Sequence, residues 1–299
     1  MKHLLSISDL SRDEILQIIE MAEKLKAERK NGIFKDYLKN KSLAMIFELP
    51  STRTRVSFEV AMFELGGYAL YLNWNDLQLG RGEPIKDTAR VMSRYVNAVM
   101  MRVRNHRTLE EFARFSSIPV INGLSNLEHP CQILADLLTI KEKKGKLHGI
   151  KLAWIGDGNN VCNSLILASV KLGIRMDVSC PKGYEPNAEI LRQAMQSGNV
   201  RIVRDPREAV ANADVIYTDV WTSMGQEKEM EERLKAFQGY QVNEELLKLS
   251  KNAIVMHCLP AHRGEEITEE VIEGPNSVVF DQAENRLHAQ KAVLIKLIS

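Results

Sequence analysis

Residues 42–73 read SLAMIFELPSTRTRVSFEVAMFELGGYALYLN, and this stretch decides the fold. An apolar strand, SLAMIFEL, passes through a polar turn into an amphipathic helical pattern, TRVSFEVAMFELG, which gives way to a second strand, YALYLN. The alternation continues with strands at AVMMRV and IPVIN and helices at IKDTARVMSRYV, TLEEFARFS and CQILADLLTIKEKKG. The last of these ends in a basic, glycine-terminated turn suited to a helix C-cap. Such alternation is the pattern of a parallel sheet with covering helices, and it closes a first domain over 1–145.

The scheme repeats over 146–283, where KLAWIGD, RMDVSC, VRIVRD, DVIYTDV and AIVMHCLP read as strands, with SLILASVKLG, AEILRQAMQSG and PREAVANA among the helices between them. The predicted fold class is therefore α/β, two domains, each a parallel β-sheet covered by helices. A chain of 299 residues fits two domains of roughly 150 residues. After SVVFDQ the chain ends in one helix, 284–299, which has no strand partner and is expected to pack back onto the first domain beside an N-terminal helix at 11–30.

Composition narrows the function classes. With 44% hydrophobic residues, 26% charged residues and a net charge of +1, the chain belongs to the globular class and does not bind nucleic acid through bulk positive charge. The opening MKHLLSISDLSRDEIL turns polar too soon for a signal-peptide core, and no apolar run approaches a membrane span, so no membrane partner and a cytoplasmic setting are expected. Cys131, Cys162, Cys180 and Cys258 are scattered without a CxxC pair, which indicates neither a disulfide framework nor a zinc ribbon.

In open α/β sheets ligands gather beyond the carboxyl ends of the strands, and the residues there are unusually polar. They are STRTR after the first strand, Arg102 and Arg104 after AVMM, NLEHPCQ after IPVIN, GDGNN after KLAWI, DVWTSMG after DVIYT, and HCLPAHRG after NAIVM. Converging on one edge, these loops would form a cleft between the domains, the expected active site. Arg53 and Arg55 in the first turn of a helix oppose its dipole by about 0.3–1 kcal/mol each. Either an anion compensates them, or they are solvated and pair with acids such as Glu59. Pro130 fits a helix's first position, which puts His129 at a second anion-friendly terminus with Gln132 one turn on.

Cofactors are not expected. The third glycine of a G-x-G-x-x-G fingerprint would fall at Val161, no Walker A sequence is present, and His257, Cys258 and His262 lack a second Cys/His pair at finger spacing, so no metal is assigned.

These motifs resemble the aspartate/ornithine carbamoyltransferase family over nearly the whole chain. STRTR, Arg102 and HPCQ look like its carbamoyl phosphate signature, while DVWTSMG, HCLPAHRG and FDQAENRLHAQ look like its ornithine branch. The resemblance implies that 1–145 binds carbamoyl phosphate and 146–283 binds L-ornithine. It implies that Ser51, Thr52, Arg53 and Thr54 hold the phosphate, that Arg102 bridges phosphate and carbonyl oxygen, that His129 contacts that oxygen and that Gln132 contacts the carbamoyl amide. Gln78 would reach a neighbouring subunit's site in a homotrimer, and the backbone at Cys258 and Leu259, with Arg286, would complete it. Asn160, Asp219, Ser223 and Met224 match the ornithine positions; HPCQ carries Cys131 where threonine is the alternative.

The reaction implied is transfer of the carbamoyl group to ornithine's δ-amine, giving citrulline and phosphate. A lysine-like amine with pKa ~10.4 must lose its proton first, which at neutral pH takes roughly 4 kcal/mol at about 1.36 kcal/mol per unit. Asp219 alone stabilises the charged form, so it is assigned to positioning. Cys258, whose reference pKa is near ~8.5, is assigned to sharing the proton. Rival readings are a carbamoyltransferase for aspartate, putrescine or an acylated ornithine, and a non-catalytic protein that binds a phosphorylated metabolite.

Overall fold

The fold is seen in a computed structural model that describes residues 1–223 and 229–299. The chain forms two compact units, Met1–Leu138 with Glu284–Ser299, and Thr139–Ala283.

In the first unit the elements run α1 (Arg12–Lys30), β1 (Ser42–Phe47), α2 (Thr52–Glu64), β2 (Tyr68–Asn73), α3 (Ile85–Tyr95), β3 (Ala98–Arg102), α4 (His106–Phe115), β4 (Val120–Leu124) and α5 (Pro130–Lys144), the last continuing past Leu138. All pairings are parallel, in the order β2-β1-β3-β4. Strands flanked on both sides and covered on both faces must be apolar throughout, and β1 and β3 are buried almost end to end. β2 lies at the edge and alternates, with Tyr68 and Leu70 exposed. Helix α2 buries Thr54, Phe58, Ala61 and Met62, one face at helical spacing. Phe58→Ala should cost about 3–5 kcal/mol, because Phe58 is fully buried.

The second unit continues with β5 (Lys151–Ile155), α6 (Asn160–Leu172), β6 (Arg175–Ser179), α7 (Ala188–Gln196), β7 (Val200–Val203), α8 (Pro206–Val210), β8 (Val215–Thr218), α9 (Met230–Ala236), α10 (Glu244–Leu247), β9 (Ile254–His257) and α11 (Glu269–Ile272); α12 (Val279–Ile298) starts in this unit and from Glu284 belongs to the first. Its sheet is also all parallel, ordered β7-β6-β5-β8-β9. Trp154 and Tyr217 face each other across β5 and β8, both fully buried, with ring centroids 5.0 Å apart. The nine strands among the described residues fall on the nine runs predicted from the sequence.

Boundaries shift in places: the first unit's main segment ends at Leu138, ahead of the expected 145, and the final helix starts at Val279, ahead of the expected 284. In its first turn Gln282 Oε1 accepts from the His257 backbone at 3.0 Å and its Nε2 donates to the Tyr217 hydroxyl at 2.9 Å.

Candidate active site

Each sheet has one point where the chain reverses its direction of winding, between β1 and β3 in the first unit and between β5 and β8 in the second. Crevices form at such points beyond the carboxyl ends. Register sets the side chains level there. Phe47 pairs with Arg102 and Arg102 with Leu124, while Ile155 pairs with Thr218 and Thr218 with His257.

In the first unit Ser51 caps α2, its hydroxyl accepting from Thr54 N at 3.2 Å, so Thr52 and Arg53 occupy the first helical turn. Arg53 is half-buried and makes no ion pair among the described residues. Arg55 is exposed and differs in kind: it pairs with Glu59 at 3.1 Å and its guanidinium lies 3.8 Å from the Tyr71 ring centroid. Arg55 thus takes the second of the two explanations the sequence left open, pairing with Glu59. Arg104 likewise sits beside Glu48 at 3.5 Å and is exposed.

Arg102, at the end of β3, is buried. His129 supplies the first helical carbonyl of α5, accepting from Gln132 N at 3.1 Å, with Pro130 at the helix's first position as expected. Burial, and then the positive charges of Arg286 and Arg102, hold the His129 imidazole well below its ordinary pKa. At neutral pH it is uncharged and offers one N–H donor. Arg286 joins the signature stretches. Its Nη1 donates to Gln132 Oε1 at 2.7 Å and its Nη2 to Thr54 Oγ1 at 3.1 Å, while Gln132 Nε2 donates to Asp136 Oδ1 at 2.8 Å. The result is a buried set of donors around hydroxyls and a fixed amide. Cys131 does not enter this chemistry, since burial pushes its thiol up to about 12. Gln78 opens a short turn, 78–81, and is exposed.

In the second unit the chemistry is reversed in sign. Asp219, just beyond β8 and 6% exposed, accepts from the Cys258 thiol at 3.1 Å and from Val220 N at 2.9 Å on Oδ1, and from Asn159 Nδ2 at 2.7 Å on Oδ2. Asn159 also caps α6 by accepting from Val161 N and Cys162 N. Asn160 and Ser223 are half-buried beside these groups in sequence; Met224 lies outside the described residues. Gly158 of GDGNN serves packing, since a Cβ there would sit 2.2 Å from Pro186 N, while Gly156 takes a φ of 126° that L side chains rarely adopt. Leu259 adopts a left-handed φ of 59°, a strain of order 1–2 kcal/mol for a non-glycine residue. Its N–H is committed to His257 Nδ1 at 2.9 Å, so its carbonyl is what it can present to a ligand.

Two groups of described residues have the composition of metal ligands, Asp219 with His257 and Cys258, and His262 with Glu265 and Glu266. In the first, His257 has no lone pair to give, because Nδ1 accepts from Leu259 and Nε2 faces Glu266 Oε1 at 2.9 Å. In the second, the same Glu266 oxygen also accepts from His262 N at 2.7 Å. Both groups are built as hydrogen-bond networks.

Residues 2–142 match the family model "Aspartate/ornithine carbamoyltransferase, carbamoyl-P binding domain", and residues 148–297 match "Aspartate/ornithine carbamoyltransferase, Asp/Orn binding domain". The chain belongs to the aspartate/ornithine carbamoyltransferase family. It is 71% identical to an Archaeoglobus fulgidus ornithine carbamoyltransferase over 300 residues, covering 100% of this chain and 98% of that one. Among solved structures it matches ornithine carbamoyltransferase from Pyrococcus furiosus with a TM-score of 0.96 at 56% identity, covering 99% of this chain and 97% of the other. It also matches anabolic ornithine carbamoyltransferase from Campylobacter jejuni with a TM-score of 0.93 at 47% identity, covering 99% of each.

Within this carbamoyltransferase fold the structure brings together Thr54, Gln132 and Arg286 in one unit and Asp219 and Cys258 in the other. Sequence reading passed over Asn159, Asp136, Asp157 and Arg233. Asn159 had a signal, an asparagine directly before a helical pattern, and Asp136 had another, its place one helical turn after Gln132. Arg233 had none.

Proposed function

We propose that this protein transfers the carbamoyl group of carbamoyl phosphate to the δ-amine of L-ornithine, giving L-citrulline and phosphate. The observation that carries this reading is the Arg286 fork, which ties Thr54 of STRTR to Gln132 of HPCQ and so unites the two anion-facing helix starts. Ser51, Thr52, Arg53 and Thr54 receive the phosphate at the α2 N-terminus. Arg102 and the neutral His129 donate to the carbonyl oxygen and steady the oxyanion as the amine attacks; Gln132 orients the carbamoyl amide. Asp219, with Asn160, Ser223 and Met224, receives the amino acid. Cys258 takes up the proton that the amine gives up as its thiol passes its own proton to the Asp219 carboxylate, and the Cys258 and Leu259 backbone completes the site. As in the anabolic Campylobacter relative, the direction proposed is synthesis, toward arginine.

Assembly belongs to the same reading. Phe63 is 80% exposed, and Val56, Tyr68 and Leu70 are also exposed, on α2 and on the edge strand β2. They precede the exposed Gln78. We place a homotrimer contact there, with Gln78 serving the neighbouring subunit. Light scattering should give a trimer or a multiple of it, and an active monomer would contradict this.

Incubation with carbamoyl phosphate and a panel of ornithine, putrescine, acylated ornithine and aspartate, scored by ureido product, tests the reaction. Product from ornithine well above the others is expected; preference for another acceptor would reassign the second unit. Cys258→Ser should lower turnover and raise the ornithine KM while sparing carbamoyl phosphate affinity, and unchanged turnover across pH 7–9 would make the thiol only a wall of the pocket.

A further inference from the structure

Arg233 sits on the seven-residue helix α9 yet is only 6% exposed. Its contacts explain the burial. Nη1 donates to the Trp221 carbonyl at 2.7 Å and lies 3.2 Å from Asp157 Oδ1, Nε donates to Glu229 Oε2 at 3.2 Å, and the guanidinium lies 5.0 Å from the Tyr184 ring centroid. Asp157, 7% exposed, belongs to the GDGNN turn, whose Asp157 carbonyl accepts from Trp154 Nε1 at 2.9 Å.

Two residues beyond Asp157, Asn159 grips Asp219; two residues beyond Asp219 comes Trp221. The stretch that starts at Asp219 is thus held at one end by the GDGNN turn directly and at the other by Arg233, itself bound to the same turn. We propose that Arg233, anchored by Asp157, is a positioning residue for the amine substrate: by fixing the Trp221 carbonyl it sets the path of the chain from Asp219 to Ser223. The proposal rests on the reading that the second unit receives ornithine. A buried ion pair is weak evidence for added stability, since apolar residues of similar volume often do as well. What an apolar residue could not do is hold a backbone carbonyl in one direction.

The arrangement carries a pH dependence. Burial raises the Asp157 carboxyl to about 6, against the pull of Arg233 and with a further push from Asp219 and Glu229. Cys162 and Cys180 also face this carboxyl; burial pushes the first well above its usual range and the second to about 12, so both stay neutral. As pH falls through about 6, Asp157 becomes neutral and Arg233 loses its buried counter-charge.

The test measures ornithine KM at saturating carbamoyl phosphate from pH 5 to 8, with carbamoyl phosphate affinity by calorimetry and thermal midpoint in parallel, on the full chain and on Arg233→Met, Arg233→Lys and Asp157→Asn. Arg233→Met and Asp157→Asn should raise ornithine KM by about tenfold at pH 7.5, the scale of one charged hydrogen bond, with carbamoyl phosphate affinity within about twofold. Arg233→Lys should recover part of the loss. Below pH 6 the unmodified chain's KM should rise more steeply than that of Asp157→Asn, which shares only the substrate's own titration. If Arg233→Met does not fold, the other two variants carry the comparison. Lower thermal midpoints with unchanged KM, or an unaltered pH profile in Asp157→Asn, would overturn the proposal. A chain that never carbamoylates ornithine would overturn the functional reading first and this proposal with it.

Discussion

The two constellations stand at equivalent places, each at the reversal point of an all-parallel sheet, and are built with opposite charge. In the first unit buried guanidiniums meet a hydroxyl, an amide and an imidazole kept neutral. In the second a buried carboxylate is held by a thiol, an amide and a backbone N–H. In the second, the groups that hold the carboxylate through hydrogen bonds are neutral donors. The helix caps show the choice in miniature. Ser51 leaves the start of α2 to Arg53, whereas Asn159 caps α6 with its oxygen and turns its nitrogen to Asp219.

The largest effect should come from emptying the first constellation of a buried cation. Arg102→Met should lower turnover by 10²–10³-fold, about 3–4 kcal/mol on the scale of a lost oxyanion donor, and weaken carbamoyl phosphate binding while ornithine KM stays near its starting value. A matching loss for ornithine would break the division between the units.

Next comes stability against pH, where the two units should pull in opposite directions. Asp157 has a folded pKa of about 6, above the unfolded value, so the native state binds the extra proton. Its contribution is present below about pH 4 and is lost as pH rises through 6, up to about 3 kcal/mol over roughly two units. His129 has a depressed folded pKa, so its contribution is present above 6.5 and is lost as pH falls. Denaturant midpoints followed from pH 4 to 8 should flatten in Asp157→Asn on the first limb only.

A smaller contrast lies inside STRTR. Arg53→Ala should weaken carbamoyl phosphate binding by about 2 kcal/mol, a charged hydrogen-bond partner. Arg55→Ala should change it by under about 1 kcal/mol, since Arg55 is spent on an exposed pair with Glu59. Equal losses would mean that the helix start is misread.

That contrast also shows what a sequence makes legible. The strands were readable because a strand buried on both faces must be continuously apolar, and β1, β3 and β5 are. Two residues apart on a helix, Arg53 and Arg55 point to different faces, which spacing alone dictates. The partner of Arg55 was visible at i+4, but the stacking on Tyr71 was not, because it depends on where β2 returns. Gln132 was singled out for a ligand; that Arg286 and Asp136 already fix both ends of its amide required the fold, since Arg286 is far away in the chain. Asp157 and Arg233 were passed over for a similar reason. A buried arginine on a short polar helix looks like a solvated one until its partners from three other loops are placed around it.

The division of labour can be tested in one experiment, by measuring both substrate KM values in Arg53→Ala and in Asp219→Asn beside the unmodified chain. The first variant should raise KM for carbamoyl phosphate by about tenfold or more and leave ornithine unchanged; the second should do the reverse. If both variants raise both constants together, the cationic and anionic constellations do not serve separate substrates, and the reading of this protein as two charge-sorted binding units is wrong.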